Sequence, residues 1–197
     1  MKNVILETER LFLSERIFKL RVIIIRHFKV QHTWKRCCTS VEFDEECRLY
    51  DKAPIERTKN KEIYDVKNVY ISNLDRSLQT AKALFGDMDY CRTELIGEVP
   101  LRSAFDTKYR FPLWFWNVAG RMQWLFGCKR QPESRNGTKE RALRFVHELT
   151  LRDDDCAIVT HGFFMHTLIR VMKKQGFTEG KNMLHYDNGE AVIFYGI

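Results

Sequence analysis

Three short apolar runs in this chain each deliver basic side chains at their far end. Val22-Ile23-Ile24-Ile25 runs into Arg26-His27, and Val69-Tyr70-Ile71 runs into Ser72-Asn73-Leu74-Asp75-Arg76. Cys156-Ala157-Ile158-Val159-Thr160 runs into His161-Gly162. A guanidinium presents a planar fork that fits two phosphate oxygens, each such charged contact contributing about 1.5–3 kcal/mol. A neutral imidazole suits a nucleophile near pH 7, and neighbouring arginines favour the uncharged ring. Two arginines and two histidines brought together in this way describe a phosphate pocket.

The elements have to bring them together. Four β-branched residues in succession predict a strand over 21–26, buried on both faces as in a mostly parallel sheet. A second strand is expected over 67–72 and a third from Cys156. Open α/β sheets bind ligands beyond the carboxyl ends of their strands, where all three basic clusters fall. Thr39 and Glu42 have the spacing of a capping box, which predicts a helix from there to about Tyr50. Ser72 is expected to cap a helix over 73–85 that Gly86 ends, with Arg76 in its first turn. Leu74, Leu78, Ala81 and Leu84-Phe85 supply its apolar stripe, and its free N–H groups face the anion. Further helices are expected over 112–126, with Pro112 in the first turn, over 138–151 after Glu133-Ser134, and over 163–175, stopped at Gly176. Met183–Tyr186, an Asn188-Gly189 turn and Ala191–Tyr195 read as a hairpin that gives the sheet an antiparallel edge. Neither repeats nor low-complexity linkers interrupt the pattern. The expectation is one domain over 1–197, a three-layer α/β/α sandwich. Residues 1–20 form an extension in which helix and short strand both stay open.

In order and spacing these motifs resemble the histidine phosphatase superfamily, branch 1, which also holds the cofactor-dependent phosphoglycerate mutases. The family's Arg-His-Gly is matched by Arg26-His27-Phe28, and its Ser-x-x-x-Arg-x-x-x-Thr-Ala by Ser72, Arg76, Thr80 and Ala81. Its His-Gly is matched by His161-Gly162, and the resemblance runs from about residue 20 to the C-terminus. The resemblance implies that His27 attacks phosphorus in line and becomes phosphohistidine. It implies that Arg26 and Arg76 clamp the phosphate while His161 donates a further hydrogen bond to it. The leaving group's proton would come from a glutamate after the second strand-helix unit. Glu98, in Ile96-Gly97-Glu98, is the best match, and Glu94 is its rival. No metal and no nucleotide cofactor are implied.

Three positions depart from the family pattern. Phe28 stands where the family has glycine, a residue that lets backbone approach phosphate closely. Thr33 stands where an asparagine usually contacts phosphate, and Lys29 where mutases carry an acidic or polar residue. These changes point away from a mutase. The reading is a phosphatase acting on a small phosphorylated metabolite. The alternatives are a phosphoglycerate-type mutase and a catalytically weak relative that binds phosphate or a protein partner, the last favoured by Phe28. An aromatic segment (Phe105, Tyr109, Phe111, Trp114, Phe115, Trp116, Trp124, Phe126) is open to two readings, core or substrate lid. Arg102, Lys108, Arg110 and Arg121 within it could meet a second acidic group.

Composition narrows the partners. At 197 residues, 44% apolar and 30% charged, the chain can build a substantial core. No apolar run approaches the roughly 20 residues that span a bilayer, and Met1 to Leu20 lacks a signal peptide's apolar centre. The net charge of +7 comes from scattered Lys and Arg without a nucleic-acid recognition motif, so a solvated basic surface is the simpler reading. Six cysteines show neither Cys-x-x-Cys pairs nor zinc spacing, which fits a reduced, cytoplasmic protein better than a disulfide framework. Oligomeric state is not legible.

Overall fold

The computed structural model describes residues 20–56, 64–152, 154–180 and 186–196. Strand β1 (Leu20–Arg26) runs through the middle of a six-stranded sheet. It lies parallel to β6 (Cys156–Thr160), which is in turn parallel to β3 (Asn68–Ile71), and β3 to the short β4 (Cys91–Arg92). On its other side β1 pairs antiparallel with β8 (Ala191–Gly196), and β8 pairs antiparallel with β7 (Thr178–Glu179). The order is β4-β3-β6-β1-β8-β7.

Helices cover both faces, as a strand apolar on both sides requires. Val22 and Ile24 join a cluster with Phe145 and Val146 of helix α4 (Arg135–Arg152) and Phe164 and Leu168 of α5 (Gly162–Lys174). Ile23 and Ile25 point the other way, onto Ala81 and Leu78 of α2 (Asp75–Phe85). Complete burial of each such side chain contributes about 1.5–3 kcal/mol. Helix α1 (Ser40–Lys52) packs on α2 and begins with the expected capping box, Thr39 Oγ1 accepting from Glu42 N and Glu42 Oε2 from Thr39 N. This is the three-layer α/β/α sandwich. Gly86 and Gly176 take φ of 75° and 92° after α2 and α5, where the sequence places helix stops.

The antiparallel edge is present, and among the described residues its outer strand is β7. Residues 183–185 lie outside the described residues, as do 1–19, and Tyr186 is not in a strand. The Asn188-Gly189 turn bonds to the end of β1. Gly189 N donates to Arg26 O at 3.0 Å and Asn188 Nδ2 to His27 O at 2.8 Å, so the turn clamps the exit of β1.

The core reading of the aromatic segment holds for Trp116, and none of the segment's aromatic residues lines the cavity described below. A two-stranded ribbon, β2 (Cys37–Cys38) with β5 (Phe111–Pro112), leads into helix α3 (Leu113–Leu125). Trp116 is fully buried against Phe43 and Cys38, and its indole donates to Cys38 O at 2.9 Å. One turn apart on a different stripe, Leu113, Asn117 and Arg121 face a cavity.

Candidate active site

The register of the sheet brings the two histidines together. Arg26 is opposite Thr160 in the parallel β1–β6 pair, so the next residues, His27 and His161, leave the sheet side by side. Their rings lie 5.1 Å apart and are 2% and 0% exposed. His27 Nδ1 lies 2.6 Å from Phe28 O. A carbonyl only accepts, so Nδ1 carries the proton and Nε2 keeps its lone pair. Burial first, then the Arg76 and Arg26 guanidiniums, push the His27 pKa from 6.5 down to about 3, against a smaller upward pull from the Phe28 carbonyl. The ring is therefore neutral throughout the physiological range.

His161 is also held well below the usual imidazole pKa, by burial and by Arg76. Arg76 Nε donates to His161 Nδ1 at 3.1 Å. The proton therefore sits on Nε2, which donates to Ser72 Oγ at 2.7 Å. Sequence reasoning gave Ser72 two places, as a helix cap and as the first residue of the Ser-x-x-x-Arg motif, but not its partner. In the structure α2 begins at Asp75 behind Leu74, and the Ser72 hydroxyl, accepting from Leu74 N at 3.2 Å, serves His161 instead. Both His161 nitrogens are engaged before any phosphate arrives.

The arginines have donors to spare. Arg76 is 1% exposed, with Nη1 on Asp51 Oδ1 at 2.8 Å and its guanidinium 5.1 Å from the Tyr50 ring centre. Its Nη2 is buried and has no hydrogen-bond partner. Arg26 donates through Nη1 to Tyr186 O at 2.8 Å, while its buried Nε is likewise without a partner. The guanidinium lies flat on Gly162, where a Cβ would stand 2.8 Å from Arg26 Cζ and Nε. That contact explains the glycine after His161. Two buried, unpartnered guanidinium N–H groups beside a neutral imidazole cost free energy unless an anion completes them.

Glu98 reaches the same place from a loop. Arg141 Nη1 fixes that loop by donating to Leu95 O and Gly97 O, and Thr160 Oγ1 donates to Ile96 O at 2.7 Å. Glu98 Oε1 accepts from Val99 N at 2.8 Å and Phe164 N at 3.1 Å. With Arg76, Glu98 lines a cavity of about 780 Å³; neither His27 nor His161 is in that lining, and Arg76, which donates to His161, links it to the histidine pair. Glu94 is exposed and does not line the cavity.

The three departures have surroundings of their own. The Phe28 ring fills a slot against Gly189, whose φ is 85° and where a Cβ would stand 2.9 Å from the ring. Its N–H donates to Thr80 Oγ1 at 3.0 Å. Lys29 pairs with Glu56 at the surface, and Thr33 is exposed. Of the four cations noted in the aromatic segment, Arg102 and Arg121 line the cavity; Arg110 pairs with Glu42 instead.

The family model described as "Histidine phosphatase superfamily (branch 1)" matches residues 22–195. The chain belongs to that superfamily. Among solved structures, a mycobacterial glucosyl-3-phosphoglycerate phosphatase is similar at 15% identity and a TM-score of 0.52, covering 78% of this chain and 79% of its own. A phosphoglycerate mutase from Bacillus anthracis is similar at 14% identity and a TM-score of 0.51, covering 88% and 86%. The alpha-ribazole phosphatase of Shigella flexneri follows at 17% identity and a TM-score of 0.50, covering 79% and 80%. No curated protein sequence matches the chain. The fold and the arrangement of basic side chains are those of the superfamily's phosphohistidine-type hydrolases, which suits a small phosphorylated substrate. No helix of the described residues is long and apolar enough to cross a membrane.

The buried histidines make folding sensitive to acid. Between pH 6.5 and about 3 the unfolded chain binds a proton at His27 that the folded chain refuses. Stability therefore falls as pH drops through that window, by up to about 1.4 kcal/mol per pH unit for each such group. Urea midpoints measured from pH 7 to 4 are expected to decline, and His27→Gln to flatten part of that slope. A wild-type midpoint independent of pH would contradict the burial of a neutral ring.

Proposed function

We propose that the protein hydrolyses phosphate monoesters of small metabolites in two displacements at His27. The observation that carries this reading is the pair of unpartnered buried donors, Arg26 Nε and Arg76 Nη2, beside the neutral His27 ring. A dianionic phosphoryl group would meet both and compete with Asp51 for Arg76. His27 Nε2 then attacks phosphorus in line, forming the N–P bond as the ester P–O bond breaks. With Oε1 tied to two backbone N–H groups, Glu98 has Oε2 to carry the proton given to the leaving alkoxide. The resulting carboxylate takes a proton from water, which attacks the phosphohistidine and restores His27 with release of phosphate. His161 holds Arg76 and Ser72 in place. Its donation to a phosphoryl oxygen requires that phosphate displace Ser72 Oγ from the Nε2 proton.

The reading includes a cytoplasmic location and one domain acting without metal or cofactor; all six cysteine thiols are free, which supports a reducing compartment. Phe28 no longer argues for an inactive relative, because its ring packs against Gly189 and its carbonyl orients the nucleophile. Inorganic phosphate released from a panel of phosphorylated metabolites tests hydrolysis, and isomerisation of 3-phosphoglycerate without release would identify a mutase.

Arg76→Ala separates a clamp from diffuse attraction. Its side chain is fully buried, whereas Lys82 on the same helix is half exposed and faces Asp87. Loss of one charge-assisted contact costs about 1.5–3 kcal/mol, so kcat/KM is expected to fall at least about 10- to 100-fold in Arg76→Ala. Lys82→Ala should stay within about twofold of wild type. Equal losses in steady-state assays would mean the effect is long-range electrostatics.

A further inference from the structure

The cavity is built for more than a phosphate. At about 780 Å³ it falls in the range that accommodates drug-sized ligands, far beyond a phosphoryl group on a three-carbon chain. One wall carries Trp34 and Tyr50, whose rings lie 5.1 Å apart at an interplanar angle of 33°. Neither ring belongs to a hydrophobic core cluster of the described residues. They are held from behind instead. The His32 ring stands edge-on to both, 4.8 Å from Trp34 and 6.0 Å from Tyr50, and His32 Nε2 is 3.0 Å from the buried Glu46 carboxylate. Tyr50 also touches the Arg76 guanidinium, so the aromatic wall begins where the phosphate pocket ends. Leu101 and Leu113 add apolar lining, and the Asn73 and Asn117 side chains add amide groups that can pair with ring heteroatoms.

We propose that the substrate is a phosphomonoester whose leaving group carries a planar heteroaromatic ring of the nucleobase class, stacked on Trp34, which Tyr50 and His32 hold in place. This rests on the phosphatase reading above and names the substrate class of that site. Aromatic faces accept flat rings with little regard to sequence of heteroatoms, and a preorganised wall avoids the cost of ordering side chains on binding. An open-chain leaving group would leave the wall wet and unused.

Adenosine 5′-monophosphate and ribose 5-phosphate isolate the ring, because the same primary alkoxide leaves in both. The expected kcat/KM ratio favours the nucleotide by on the order of 10- to 100-fold, the usual weight of one base stacked on an aromatic side chain. Trp34→Ala should collapse that ratio toward one, and Trp34→Phe should restore most of it. A ratio near one in the wild type, or equal losses on both substrates in Trp34→Ala, overturns the proposal. A second measurement does not depend on turnover. Equilibrium binding to the His27→Ala protein should show the nucleotide at least about tenfold tighter than ribose 5-phosphate. Equal affinities overturn ring recognition even if the protein is a phosphatase. A strong ring preference in binding with no phosphate released by the wild type overturns the phosphatase reading and leaves the aromatic wall standing.

Discussion

His27→Ala is expected to lose at least about 10⁴-fold in turnover, because in the proposed mechanism no second imidazole can replace it as nucleophile. His161 is close, but both its nitrogens are committed to Arg76 and Ser72. The cavity's own thiol is no substitute, since burial first and the Asp44 carboxylate next push the Cys47 pKa up to about 12. The variant leaves the Phe28 carbonyl without its donor, a loss of about 1 kcal/mol, so the fold should survive and the far-ultraviolet dichroism should be unchanged. Rapid acid-free quenching of wild-type enzyme with a radiolabelled phosphomonoester should trap an acid-labile, base-stable phosphate on the peptide that contains His27. Label on a cysteine peptide, or turnover surviving in the alanine variant, would sink the mechanism.

The strand exits were legible because burial on both faces demands unbroken β-branched runs, and few other patterns produce Val22 through Ile25. Helix stops at Gly86 and Gly176 followed from local backbone preference. What stayed hidden depends on pairs far apart in the chain. Asp51 and Tyr50 close on Arg76 from the end of α1, across 25 residues in the case of Asp51. Asn188 reaches His27 across 161 residues, a clamp that no local pattern announces. Ser72 has the chemistry of a cap and the position of one, but its hydroxyl is taken by His161, 89 residues away. Phe28 was read by what it replaces, and the space that receives it exists only because residue 189 is glycine. Residue type fixes what a group can do; the partner that decides between its options is a tertiary fact.

Glu98→Gln should reveal itself through the leaving group. Gln keeps an oxygen that can accept from Val99 N and Phe164 N, so the side chain stays in place and only the transferable proton is lost. An alkyl phosphate expels a strongly basic alkoxide, and general acid catalysis of such a departure is worth about 10²–10⁴-fold. A nitrophenyl phosphate expels a stabilised phenolate that needs little protonation. The variant should therefore lose about 10²–10⁴-fold on the alkyl ester and less than about tenfold on the nitrophenyl ester. Glu94→Gln is the control, because that side chain is exposed on the preceding turn and does not line the cavity. If Glu94→Gln shows the leaving-group dependence and Glu98→Gln does not, the acid is the rival glutamate and the loop must move during turnover. If neither does, the proton reaches the alkoxide from elsewhere. Asp51, whose carboxylate accepts from Arg76 and which also lines the cavity, is then the next to replace.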